Sequence, residues 1–174
     1  TGYQEILTDP SYAGQIVTFT FPHIGNVGVN SDDDETQYPA AEGLIVKCDP
    51  TTPSNWRALE NLSDWLKKNN LIAMGGVDTR RLTRAIRMSG APHVVLAHNP
   101  NGDFDTSELI TKANNFTGLE GLDLAKKVTC SQLYKWDEMR WAWPEGFKKQ
   151  NKARHRVVAC LLYTSDAADE SCRV

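Results

Sequence analysis

Between Gly14 and Phe116, short stretches of strand character alternate with helices whose ends are signalled in the residues, and this alternation most limits the folds open to the chain. Strands separated by helices predict an α/β domain. Residues 14–21 alternate in part, Gln15, Val17, Phe19 and Phe21 against Ile16, Thr18 and Thr20. Their β-branched and aromatic side chains predict a strand, which Pro22 ends. Residues 43–47 predict a second. Pro50 and Pro53 break the chain before Trp56, Leu59, Leu62, Trp65 and Leu66, whose spacings of three and four predict a helix packed on a core. Lys67, Lys68, Asn69 and Asn70 mark its end, since cations are favoured near a helix C-terminus. Residues 71–74 predict a brief buried strand running into Gly75 and Gly76.

Asp78 is placed as the N-cap of a helix from Thr79 to about Met88, with Gly90 where a left-handed residue is wanted. Leu82, Ala85 and Ile86 are expected to face inward, leaving Arg80, Arg81, Arg84 and Arg87 on a solvated or partner-facing side. Residues 92–98 predict another strand. Asp105-Thr106-Ser107-Glu108 resembles a capping box, opening a helix on which Leu109, Ile110, Ala113 and Phe116 share a face. From Thr129 to Arg156 the pattern changes: Trp136, Trp141, Trp143 and Phe147 occur among charges without clear period. This segment reads as an interdomain connection laid on the domain surface by its aromatics.

With 174 residues, 40% of them hydrophobic, the chain can bury one core with residues to spare. Its formal charge of -3 gives no field to draw in nucleic acid or an anionic membrane. No apolar run approaches the roughly 20 residues needed to cross a bilayer, and the start lacks a signal-peptide pattern, so a cytoplasmic protein is expected. The chain opens on Thr1 rather than Met, and its N-terminus is expected to be truncated. Cys48, Cys130, Cys160 and Cys172 form no Cys-x-x-Cys pair and are expected to be free thiols. His23, His93, His98 and His155 have no metal-ligand spacing.

Residues 22–39 form a long irregular segment with Gly25, Asn26, Gly28, Asn30 and the acidic run Asp32-Asp33-Asp34-Glu35, a candidate binding loop. The run lacks the alternate ligands and central Gly of a calcium loop and reads as a hydrated acidic loop. The arginine helix could hold phosphates, but no glycine-rich cradle precedes it, and partner contacts or internal ion pairs are the expected role. Glu5 and Asp9 lie four apart with His23 nearby in sequence, yet no Gly-x-Ser-x-Gly elbow supplies a nucleophile.

Gly2-Tyr3-Gln4-Glu5-Ile6-Leu7-Thr8-Asp9-Pro10 and Pro22-His23-Ile24-Gly25-Asn26-Val27-Gly28, with Trp56-Arg57 and Asp78-Thr79-Arg80-Arg81-Leu82-Thr83-Arg84, resemble the small, glutamine-using subunit of the carbamoyl-phosphate synthase family. The match runs on to Leu122-Asp123-Leu124-Ala125. The resemblance implies a three-layer β/β/α swivelling-type domain over residues 1–128, a connection over 129–156 and, at 157–159, the first strand of a class I amidotransferase domain that is otherwise missing. It also implies docking to a large synthetase subunit, which would carry ATP and its metal ions and use ammonia from glutamine to make carbamoyl phosphate for arginine and pyrimidine biosynthesis. No cofactor is expected in this chain, and no nucleic-acid or membrane partner. The family's catalytic Cys lies in a Gly-x-Cys-x-Gly setting that none of the four cysteines shares, so the fragment is expected to be catalytically silent. What carries over is a set of motif and interface candidates: Gly2, Tyr3, Gln4, Asp9, Pro10, Pro22, His23, Gly25, Asn26, Gly28, Arg57, Asp78, Thr79, Arg80 and Arg84. The competing reading is a free-standing binding module for a small anion or peptide. Residues 160–174 depart from the family's course and are expected to be non-native, their acidic stretch from Asp166 to Glu170 lacking apolar surface to pack.

Overall fold

A computed structural model of the protein describes residues 2–129, 132, 134–152 and 155–158. Three short strands, β1 (Ile16–Thr18), β2 (Gly43–Ile45) and β3 (Ala73–Met74), form a parallel sheet in the order β1-β2-β3. Ile16 pairs with Gly43, and Leu44 with Ala73. Parallel neighbours require crossovers. The one between β2 and β3 contains helix α2 (Leu62–Lys68), whereas the one between β1 and β2 is the 22–39 loop, which holds no helix or strand. Helix α1 (Tyr3–Thr8) precedes the sheet, and α3 (Thr79–Ser89), α4 (Thr106–Asn115) and α5 (Leu124–Val128) follow it. The chain is therefore mixed α/β, as the alternation predicts.

The core lies where α1 and α2 meet β2 and the loop. Tyr3 and Leu7 come from α1, Leu62, Trp65 and Leu66 from α2, Leu44 from β2 with Val46 just beyond it, and Ile24, Val29 and Ala41 from the crossover. Each large apolar side chain buried this way contributes about 1.5–3 kcal/mol. Helices α4 and α5 bury no residue, and α3 buries only Thr79.

Several sequence expectations are corrected. The helix predicted around Trp56 begins only at Leu62, because the Asn61 side chain accepts from the Asp64 N–H at 2.9 Å and caps it there. Trp56 and Leu59 stand outside it and are exposed. The strand predicted at 71–74 reduces to Ala73 and Met74, and both are exposed because β3 is the sheet edge. Residues 92–98 join no ladder, although Leu96 lies where a side chain on Gly43 would fall, 2.9 Å from its Cβ position. On α3, Leu82 and Ile86 are half-buried as expected while Ala85 is exposed. The caps of α3 and α4 stand as read: Asp78 accepts from the Arg81 N–H at 3.0 Å, Asp105 from that of Glu108 at 3.0 Å, and Gly90 closes α3 with φ +84°.

Residues 134–152 turn back on themselves through isolated bridges, Glu138 to Lys149 and Ala142 to Gly146. Trp143 packs edge-on against Trp56 with centroids 4.8 Å apart and so lies on the preceding surface, whereas Trp136 pairs with Tyr134 inside the segment, centroids 6.3 Å apart. Residues 155–158 are described without strand structure and Val157 and Val158 are exposed; the expectations for residue 159 and for 160–174 fall outside the described residues. Cys48 is free and exposed, and the other three cysteines also fall outside.

Candidate functional site

Most of the motif residues converge on the 22–39 loop, which α1 holds by its side chains. The Tyr3 hydroxyl donates to the Gly28 carbonyl at 2.7 Å. Gln4 acts as a substitute strand: its Nε2 donates to the Asn30 carbonyl at 2.5 Å and its Oε1 accepts from the Asn30 N–H at 3.0 Å. The same Nε2 also reaches Asp34 Oδ1 at 2.6 Å. Thr8 Oγ1 accepts from the Glu35 N–H at 2.9 Å, and the Thr36 hydroxyl donates to the Thr8 carbonyl at 2.6 Å. A buried backbone without a regular partner must be satisfied somewhere, and here α1 side chains do it.

The turn inside the loop explains its glycines. Gly28 donates its N–H to the Gly25 carbonyl at 2.9 Å and has φ +77°, and a Cβ there would come within 2.5 Å of Ala58. Both the left-handed backbone and the close approach require glycine. Asn30 then closes an Asx turn, its Oδ1 accepting from the Asp32 N–H at 3.0 Å.

Arg57 clamps the acidic run from the far side. Its Nη2 lies 2.6 Å from Asp33 Oδ1, 3.2 Å from Asn30 Oδ1 and 3.8 Å from Asp32 Oδ2. Asn30 Nδ2 donates to the other Asp33 oxygen at 2.7 Å. The Arg57 guanidinium carbon sits 5.7 Å from the Trp141 ring centroid, and Trp141 Nε1 donates to Asp32 at 3.4 Å. The run is therefore anchored at Asp33 and Asp34, while Asp32, Asp34 and Glu35 remain exposed to water as the sequence reading expects.

Two titrations register this environment. Burial pushes the Tyr3 hydroxyl up to about 12, against smaller lowering by backbone hydrogen bonds at Gly28 and Val27. Burial also raises the Glu5 carboxyl; the Asp33 charge adds to this, and Glu5's own backbone N–H and Arg57 oppose it. The Glu5 carboxylate folds back over Gly2, where a side chain would meet it at 3.3 Å.

The remaining candidates take no part in this network, whether on the rim of the loop (Pro22, His23, Asn26) or outside it (Asp9, Pro10 and the residues of α3). Asp9 caps a 3-10 turn at Pro10–Tyr12, accepting from the Ser11 N–H at 2.7 Å. Pro22 is half-buried, His23 is exposed with its ring 6.4 Å from that of Phe21, and Asn26 uses its carbonyl to accept from Ser54 at 3.0 Å. Asp78, Thr79, Arg80 and Arg84 belong to α3, away from the loop network. Sequence reading missed Asn30, Asp33 and Trp141 as partners of Arg57; the Asn-Ser-Asp turn signal was the one available pointer.

Chemically the loop is held but keeps a net negative charge, since Arg57 offsets one of its four carboxylates and the amides of Asn30 and Gln4 carry none. Its carboxylates are engaged by Arg57, Asn30 and Gln4, and no group of three or more His, Cys, Asp or Glu among the described residues could hold a metal ion. An open cleft of about 520 Å³ between residues 50–53 and 58–64 is lined by Pro, Thr, Asn and Ser, by Ala58 and Leu59 and by two carboxylates, without His or Cys. No described helix is long and apolar enough to cross a membrane.

Residues 1–96 match the family described as carbamoyl-phosphate synthase small chain, CPSase domain. The chain is 69% identical to the carbamoyl phosphate synthase small chain of Ruegeria pomeroyi over 159 residues, 91% of this chain and 41% of that relative. It is 52% identical to the small chain of Caulobacter vibrioides over 162 residues and 55% identical to that of Brucella canis over 163, again 91% of this chain, and 42% and 40% of theirs. The chain thus spans about two fifths of the length of these curated relatives.

Proposed function

The chain belongs to the carbamoyl-phosphate synthase small-chain family, and from that premise we propose that it is the N-terminal, subunit-docking part of the small, glutamine-using subunit. The match of residues 1–96 to the CPSase domain carries this reading. Its partner is the large synthetase subunit, which binds ATP and its metal ions and uses glutamine-derived ammonia to make carbamoyl phosphate in the cytoplasm. The product serves arginine and pyrimidine biosynthesis. The parallel sheet and its helices are then part of a three-layer β/β/α swivelling-type domain, with residues 129–156 as an interdomain connection.

The geometry fits a scaffold. Tyr3, Gln4, Gly28 and Arg57 hold a long crossover in one shape, and a loop fixed this way presents its exposed rim, including His23 and Asn26, without an ordering cost on binding. Mixing the purified chain with an isolated large subunit tests the proposal by co-elution in size-exclusion chromatography. Co-elution supports docking. A chain that stays alone and monomeric, yet binds a phosphorylated ligand, would replace this reading with the free-standing module.

A further inference from the structure

The four guanidinium groups of α3, on Arg80, Arg81, Arg84 and Arg87, are all exposed. Among the described residues none has an ion pair, a side-chain hydrogen bond or a ring beneath it. Arg57, Lys67, Lys68, Lys112, Lys148 and Lys149 each have a carboxylate within ion-pair distance. The arrangement on α3 also works against the helix. Arg80 and Arg81 occupy its first turn, where the unpaired N–H groups already leave positive charge. Arg80 and Arg84 are four apart, Arg84 and Arg87 three apart, so like charges neighbour one another along one face. No Asp or Glu lies on the helix, and Asp78 is committed to capping the Arg81 N–H. The opposite side is fixed by buried Thr79 and half-buried Leu82 and Ile86, so the arginines are presented from a seated helix.

We propose that this arginine face docks an acidic surface of the large synthetase subunit, an inference that rests on the docking role proposed above. Guanidinium forks match carboxylates in bidentate geometry, and Arg80 to Arg87 spans about 10 Å at the helical rise, enough for a row of several acidic side chains. The Lys47 carbonyl accepts from the Gly76 N–H at 3.2 Å and the Asp49 carboxylate lies over Gly75, which tie the start of α3 to the end of β2. The chain's formal charge of -3 includes the four positive charges of α3, so the remainder carries -7. That field opposes a uniform polyanion such as nucleic acid or an anionic bilayer and leaves a folded partner with a local acidic patch as the fitting occupant.

The test measures binding of the full chain to an isolated large subunit across a KCl series, with circular dichroism as a fold control. Wild-type affinity should fall with salt. Arg80→Gln/Arg84→Gln should weaken it by about tenfold or more and flatten the salt dependence, and Arg80→Glu/Arg84→Glu should weaken it further. Wild-type affinity in both double variants would overturn the inference and leave the docking role standing; a wild-type chain that does not bind at all overturns both. Duplex DNA binding the wild-type chain more tightly than the large subunit does also overturns it. Phenylglyoxal labelling of the unmutated chain, read by mass spectrometry, gives a readout independent of variant folding. Arg80, Arg84 and Arg87 should be shielded in the complex, and equal labelling free and bound contradicts the proposal.

Discussion

The loop around residues 30–35 and helix α3 are both crowded with charge of one sign, yet among the described residues only the loop is anchored by partners within the chain. Asp33 is pinned between Arg57 and Asn30, and Asp34 by Gln4. The arginines of α3 meet no carboxylate among the described residues. Charge density alone therefore says little about role. The number of internal partners separates a cluster that holds the fold from one left available to another molecule.

Removing an anchor of the first cluster should be the most damaging change. Gln4→Ala leaves the buried Asn30 N–H and carbonyl without their partner, at a cost of about 3 kcal/mol, while the exposed Asp34 carboxylate turns to water. Urea unfolding should show the midpoint fall at unchanged slope; a shift within error would break the comparison at its better-supported end. Tyr3→Phe should cost less, about 1–1.5 kcal/mol for one hydrogen bond to Gly28. It also carries a pH signature. Burial keeps the Tyr3 proton on until about pH 12, while an unfolded tyrosine releases it near 10.0, so this stability is complete below pH 10.0 and is lost as pH rises through about 12. The Phe variant should lack that alkaline loss, measured as the urea midpoint across the range.

Much of this contrast lies beyond sequence reading because its partners are distant. Gln4 and Asn30 are 26 residues apart and Arg57 and Asp33 are 24, so no local period marks them. The helix caps were legible because each is a local bond between neighbours: Asp78 to Arg81 and Asp105 to Glu108 span three residues. The false start of α2 has the same explanation. Trp56 and Leu59 continue the spacing of Leu62 and Trp65 by coincidence, while the stronger local signal, Asn61 as N-cap, begins the helix after them. Residues 92–98 have strand composition, but a strand exists only where a partner offers hydrogen bonds, and composition cannot supply one. The tie from Trp141 to Arg57 crosses from residues 134–152 to the residue that anchors the loop, and aromatic content alone predicted contact without saying where.

The smallest expected effect sharpens the electrostatics of the anchored region. The folded Glu5 carboxyl titrates above its ordinary value, so its ionised form is disfavoured once pH rises past the usual carboxylate range, and in acid the penalty disappears. Glu5→Gln should raise the melting temperature slightly at neutral pH and leave it unchanged in acid. A drop at neutral pH would mean that the contact of the carboxylate with the start of α1 outweighs its burial and the repulsion from Asp33.

Thermal melting of Arg57→Gln and Arg84→Gln side by side, in the chain without partner, tests the central contrast most directly. Arg57→Gln strips partly buried Asp33 of its closest cation and loosens Trp141, which should cost about 2 kcal/mol and lower the melting temperature by about 4–8 °C. Arg84→Gln removes a charge that has no ion-pair partner among the described residues and repels its neighbours, so the melting temperature should stay level or rise slightly. Equal destabilisation by both substitutions, or a fall on Arg84→Gln with Arg57→Gln neutral, would contradict the assignment of one cluster to the fold and the other to a partner.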